Sequence, residues 1–325
     1  MLSTGPGLPE RALGSFAARS SRERSCLGQK SASTGLLAAL CALLGGAAAA
    51  QDPLEPIEPI EPIESRRWAF DLFPSTDPYP PNVASPHRLT NSVELLAMGS
   101  SGIAGSGDSR MFLRLGGRFG VLRLRPRANP SRSLQLGIEA GFAGQFDNDA
   151  SQDNIGWDGF YGLTVTAARG PRLAWKAGLL HTSAHVGDEY LERTGRGRIG
   201  YTREELLAGL NLDLSASWRA YLEAAHAHEL RIDLQRPWRV QVGLVFEDRD
   251  RFAGGGRFGW YAAADLSSWE ERDWRTDWAL QAGLLFPAGG RVWRAGIAYV
   301  DGRPPLGEFF QDSESYLSAG LWVDL

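Results

Sequence analysis

The chain has 325 residues and a formal net charge of −4, from 34 Lys and Arg against 38 Asp and Glu. That acidic balance gives no electrostatic case for nucleic acid as a partner. Its only two cysteines, Cys26 and Cys41, fall within the first 50 residues, so the rest of the chain has neither a disulfide framework nor a cysteine-ligated metal.

Residues 1–50 read as an export signal peptide. Arg11, Arg19, Arg22, Arg24 and Lys30 precede the apolar run GLLAALCALLGGAAAA, and an Ala-rich cleavage region ends before Gln51. The basic part is longer than such signals need, which fits a start downstream of Met1. Residues 51–66 contain PLEPIEPIEPIE, in which Pro recurs at every third position. Such a segment favours an extended polyproline II spacer and builds no core. Residues 67–88 form a second Pro-rich stretch before the main domain, 89–325. Beyond the signal no run of about 18 apolar residues marks a transmembrane helix.

From residue 89 the dominant period is two. In LQLGIEAGF, Leu134, Leu136, Ile138, Ala140 and Phe142 share one face, and Gln135, Gly137, Glu139 and Gly141 the other. WRVQVGLVF and WALQAGLLF repeat the scheme. About twelve such segments follow one another near 90–98, 111–125, 132–146, 159–168, 172–184, 200–213, 217–228, 238–247, 257–268, 276–286, 291–300 and 315–325, near the roughly 10-residue length of a membrane strand. The links RGPR, SAS and PAGGR are tight, whereas 147–158, 185–199, 229–237, 269–275 and 301–314 are long and polar. Outer-membrane barrels alternate short periplasmic turns with long external loops in this way. The EDRDRFAGGG link fits the alternation poorly.

Alternation alone also fits a soluble β-sandwich with one wet face. Trp175, Trp218, Trp238, Trp278 and Trp293 at strand ends favour an aromatic girdle instead. Lys176, Glu139, Arg219, Glu223, Arg239 and Arg294 on the opposite face suit a polar, largely filled lumen rather than a dry sandwich core. The expectation is an all-β transmembrane antiparallel barrel in the bacterial outer membrane, with outer-membrane lipids as its surroundings. The ending SAGLWVDL resembles the assembly signal on the last strand of such barrels, which implies the barrel assembly machinery as a partner.

Parity also gathers chemistry. Along 172–184 the odd positions are apolar, so His181, Ser183 and His185 continue the lipid-facing row at its external end. On the next strand Glu204 shares the outward face with Leu206 and Leu210, and on the one after, His226 and His228 end the row begun by Trp218. Four of the five histidines therefore converge on one outward patch. A serine nucleophile needs an imidazole to take its proton and a further group to hold that ring. Ser183 as nucleophile, His181 as base and Glu204 as the orienting carboxylate meet that need. A second reading is a divalent metal site using His185, His226, His228 and Glu204. A third is that these polar groups merely meet lipid headgroups. Asp188 and Glu189 in the adjoining loop are either solvated or available to Ca²⁺ near lipid phosphates. The non-catalytic alternative is a structural barrel or a narrow pore.

The His-x-Ser pattern on an outward face resembles the outer-membrane phospholipase A family and the lipid A deacylases. Those families imply an acyl hydrolase acting on outer-leaflet phospholipid or lipid A, with His181 and Ser183 matching the dyad. Phospholipase A has Asn as its third member and Asn-Gly after the serine, whereas Ala184 follows here and no Asn occurs between residues 155 and 210. Over about residues 70–325, the stretches LFPSTDPYPPNVASPHR, HTSAHVGDEYLER, DLSSWEERDWRTDW and YVDGRPPLGEFF are similar to a bacterial family known only as a domain of unknown function. That resemblance implies that the Pro-rich stretch 73–86 belongs with the barrel, at its periplasmic mouth, and that HTSAHVGDE is a family feature.

Overall fold

The computed structural model describes residues 67–248 and 257–324. The expected signal peptide and Pro-rich linker, and most of the EDRDRFAGGG link, lie outside the described residues. A short β1 (Trp68–Leu72) precedes twelve longer strands among the described residues. They are β2 (Asn91–Ser101), β3 (Ser109–Pro126), β4 (Arg132–Asp147), β5 (Asp153–Arg169), β6 (Leu173–Val186), β7 (Thr202–Asp213), β8 (Trp218–Leu230), β9 (Trp238–Glu247), β10 (Gly259–Trp269), β11 (Thr276–Ala288), β12 (Arg291–Gly302) and β13 (Glu314–Val323). One helix, α1 (Asp188–Thr194), lies between β6 and β7.

Each strand from β2 to β13 pairs antiparallel with its sequence neighbours, and β13 pairs back onto β2 from Glu314–Ser101 to Val323–Asn91. The sheet is therefore a closed barrel. β1 lies beside β3 where β2 has ended, pairing Trp68 with Pro126 and Leu72 with Leu122. No helix among the described residues is long and apolar enough to cross a membrane. Apolar surface lies instead on the outside of the strands, where Leu95, Tyr161, Leu179, Leu206, Leu280, Ile297 and Leu317 remain exposed. An uninterrupted belt of this kind suits hydrocarbon and not water.

β5 begins at Asp153, earlier than the period-two pattern suggests. Asp153, Asn154, Gly156 and Asp158 give the early part of this strand the composition of a loop. Pairing across to β4 and β6 overrides that composition, and Asp158 turns into the barrel, where its carboxylate accepts the Gly307 N–H at 2.8 Å.

The inward faces are charged, buried and paired. Arg110 meets Glu314 at 2.6 Å, Lys176 meets Glu223 at 2.8 Å and Arg239 meets Glu205 at 2.8 Å. Residues 73–90, which have no regular structure, enter this lumen from the end carrying the short turns. Asp77 pairs with Arg118 at 2.9 Å, and the Tyr79 hydroxyl donates to Glu223 at 3.0 Å. Arg219 donates to the Pro81 carbonyl at 2.9 Å, and Arg88 pairs with Asp324 at 2.6 Å. The other end is capped. Leu306, Phe309 and Phe310 are fully buried, Tyr190 of α1 packs edge-on against Phe309, and Glu308 accepts the N–H groups of Ile199, Gly200 and Tyr201. Between the inserted segment and the cap lies a chamber of about 130 Å³, bordered by Tyr79, His87, Glu205, Glu223, Trp269 and Arg303.

Two outcomes follow from this architecture. Because both ends are closed by specific contacts, the intact protein in a planar bilayer should show no steady conductance, and persistent open steps would contradict the closed lumen. Asp324 tests how the inserted segment is anchored. Burial alone raises its carboxyl, but Arg88 and Arg294 outweigh burial and bring it down to about 2. A depressed carboxyl contributes stability that is complete above its unfolded pKa of about 3.9 and is lost as pH falls through its folded value, here about 2–3 kcal/mol. Asp324→Asn should lower the denaturant midpoint of the heat-modifiable gel band at pH 7, and the two proteins should converge as the pH approaches 2.

Candidate active site

Four strands bring the outward polar patch together. β5 and β6 pair Trp157 with His185, Gly159 with Ser183 and Tyr161 with His181. β6 and β7 pair His181 with Glu204 and Ser183 with Thr202. A bulge between Glu204 and Glu205 shifts the β7–β8 register and sets Glu204 opposite Glu229. His228, one position away, then reaches the same carboxylate.

His181 Nδ1 lies 3.2 Å from Glu204 Oε1, and His228 Nε2 lies 3.5 Å from Glu204 Oε2. The His181 ring stacks on Tyr161 with centroids 4.4 Å apart. The Ser183 hydroxyl is 3.2 Å from His185 Nε2, and that ring stacks on Trp157 at 4.1 Å. The structure thus brings His181 to Glu204, as their parity suggests, but gives Ser183 to His185 rather than to His181. The reason is geometric. Positions two before and two after a strand residue lie about 7 Å away on the same face, so Ser183 has an imidazole on each side. Glu204 and Tyr161 draw one of them away.

The residues of the metal reading are held by different neighbours. His185 is with Ser183 and Trp157, His226 lies edge-on to Trp238 at 4.6 Å, and only His228 joins Glu204. Among the described residues no group of three or more His, Cys, Asp or Glu side chains is arranged to hold a metal ion. Asp188 and Glu189 sit exposed in the first turn of α1, and Asp188 pairs with Arg198.

The sequence reading gave no role to Trp157, Gly159 and Tyr161. Their signal is present in IGWDGFYGL, where Trp157, Gly159, Tyr161 and Leu163 share one parity. The strand as read from the pattern begins only at residue 159, and Gly156 and Asp158 leave Trp157 in the preceding link.

Residues 60–324 match the family described as "Protein of unknown function (DUF1207)". The chain belongs to that family. No curated protein sequence matches this member of it. Among solved structures, the DUF1207 chain is similar to outer membrane phospholipase A from Escherichia coli, at 11% identity and a TM-score of 0.50 over 75% of this chain and 93% of that one. It also aligns with the CymD monoaromatic hydrocarbon channel (11% identity, TM-score 0.38, 73% of this chain and 88% of that one). A third is an anion-selective porin from Comamonas acidovorans (11% identity, TM-score 0.33, 72% and 97%). At such identity the phospholipase likeness is one of fold: the DUF1207 chain is an outer-membrane-type β-barrel.

Proposed function

We propose that this chain is an outer-membrane acyl hydrolase that cleaves lipid esters at the outer leaflet, with Ser183 as nucleophile. The supporting observation is the outward row His181, Ser183 and His185, with Ser183 hydrogen-bonded to an imidazole at 3.2 Å and a carboxylate on the neighbouring one. The row ends beside the long link that carries α1, and long links are external in this class of barrel. Ester bonds of outer-leaflet lipids lie at that depth. The likeness to a phospholipase barrel supports the same reading. Export and insertion then require the expected signal peptide and the assembly machinery acting on β13.

In the reaction the Ser183 oxygen attacks the ester carbonyl carbon and its proton passes to an imidazole. The tetrahedral intermediate collapses, the alcohol leaves with that proton, and water hydrolyses the acyl-serine by the same route, giving a fatty acid and a lyso-lipid. Of the two flanking rings, His181 is the better base. An imidazolium forming near lipid needs a counter-charge, and a hydrogen bond to a charged group contributes about 1.5–3 kcal/mol. Glu204 offers one to His181, and a carboxylate at Nδ1 leaves Nε2 free to accept a proton. His185 has the Trp157 ring beside it. This role requires the Ser183 hydroxyl to turn about its single side-chain torsion, away from His185 and towards His181. Hydrogen bonds of resting active sites commonly rearrange in this way when substrate arrives.

The test is fatty-acid release from phospholipid and lipid A in mixed micelles, read by mass spectrometry. Ser183→Ala should lower release by about 10³-fold or more with assembly intact, as loss of a triad member does. His181→Ala should match it, Glu204→Gln should cost less, and His185→Ala less again. If His185→Ala alone matched Ser183→Ala, the base would be His185. Losses confined to His226→Ala and His228→Ala would favour a metal. No release from the unaltered protein would leave a non-catalytic barrel.

A further inference from the structure

Two stacked ring pairs flank Ser183 on the outer face. Trp157 and His185 lie on one side, and Tyr161 and His181 on the other. Between them the outward position of β5 is Gly159, directly opposite Ser183. No packing demands a glycine there, because a Cβ at 159 would meet its nearest atom, on Trp157, only at 3.5 Å and Ser183 O at 3.9 Å, with no positive φ. The edge of the Trp157 ring borders this position, and the missing side chain leaves the space beside that edge, between the two ring pairs, unfilled. The gap continues onto β4. There the residue level with Gly159 is Phe142, but its ring leans towards the Gly144 level, where a Cβ at 144 would meet it at 2.8 Å, and stacks on Trp157 at 5.7 Å. The result is a slot floored by Ser183 and Gly159 that runs from β6 across β5 to β4, about 10 Å for two strand spacings. Beyond the Tyr161–His181 pair the same outward face continues as the belt of exposed Leu163, Leu179 and Leu206.

We propose that this slot is the acyl subsite, holding the fatty chain of the lipid ester whose carbonyl is presented to Ser183, and that Gly159 sets which chains fit. The inference rests on the hydrolase reading above and adds the part of the substrate that is recognised. Aromatic walls and a floor that carries no side chain at Gly159 match an unbranched alkyl chain, which has no polar group to satisfy and is no wider than a strand spacing. The slot is on the apolar side of the sheet, so a chain enters laterally from the bilayer without crossing water.

The experiment compares p-nitrophenyl acetate with p-nitrophenyl octanoate as substrates of the full-length protein. The acetyl group ends before Gly159, whereas the octanoyl chain must pass it. Gly159→Leu places a side chain across the floor, and leucine on this outward face is compatible with a barrel in lipid. It should lower octanoate turnover at least tenfold while lowering acetate turnover no more than twofold. Gly159→Ala should give a smaller change in the same ratio. Ile297→Ala, on the outward face of β12, should leave the ratio unchanged, and heat-modifiable migration checks folding in each case. If Gly159→Leu does not assemble, Trp157→Ala provides the complementary reading. Removing one wall should raise turnover of a 2-ethylhexanoate ester relative to octanoate. Equal loss on both esters with Gly159→Leu, or no loss on either, would overturn the subsite while leaving the hydrolase in place. Absence of Ser183-dependent turnover of either ester by the unaltered protein would overturn the hydrolase itself.

Discussion

An apolar outer surface provides no hydrogen-bond partner for a backbone, so each strand N–H and C=O must be met by a neighbouring strand. The β13–β2 pairing, from Glu314–Ser101 to Val323–Asn91, completes the ring and leaves neither a first nor a last edge. Closure then decides the position of every side chain, because successive residues alternate between outside and inside. The inside receives charges that are costly to bury singly. They are paired in the structure, as in Arg110 with Glu314 and Arg239 with Glu205. The irregular segment 73–90 is admitted to this lumen on the same terms. Its prolines carry no N–H to satisfy, and arginines of the wall answer their carbonyls, Arg219 at Pro81 and Arg114 at Pro86.

Most of the barrel is legible in the sequence because one face of each strand is apolar, and a slip of one residue would turn that face inward. The pattern fails where composition and pairing disagree. Asn154–Asp158 look like a loop and form a strand because β4 and β6 are already in place on either side. The cap is harder to anticipate. Glu308 gains its meaning from three N–H groups at Ile199, Gly200 and Tyr201 more than 100 residues away, and Phe309 and Phe310 are apolar residues in a link that otherwise reads as polar.

At the candidate site, parity reveals which residues face out, and folding back across the long loop brings Glu204 within a residue or two of His181. It does not reveal which imidazole takes Ser183, since the spacings to His181 and His185 are equal along the strand. The tie is broken by residues from the two flanking strands. Glu204 on β7 and Tyr161 on β5 hold one ring, and Trp157 holds the other. A single strand read alone contains the candidates but not the assignment.

The two faces of β6 differ in what constrains them. Lys176 points inward and is held by Glu223, and Ala184 packs in the cap with Tyr201 and Phe310. His181, Ser183 and His185 point outward, where Glu204 and the rings of Tyr161 and Trp157 are the contacts that hold them. A row of polar side chains facing lipid has little packing of its own to fix it, and sites built on paired strands are more precise than sites on loops. Its geometry therefore depends on the backbone, and the backbone depends on the filled lumen behind it. On this view the paired charges, the inserted segment and the cap support the outward row as well as closing the barrel. An open pore in the same sheet would leave β6 backed by mobile water, without the fixed contacts that hold Ser183 between its two histidines.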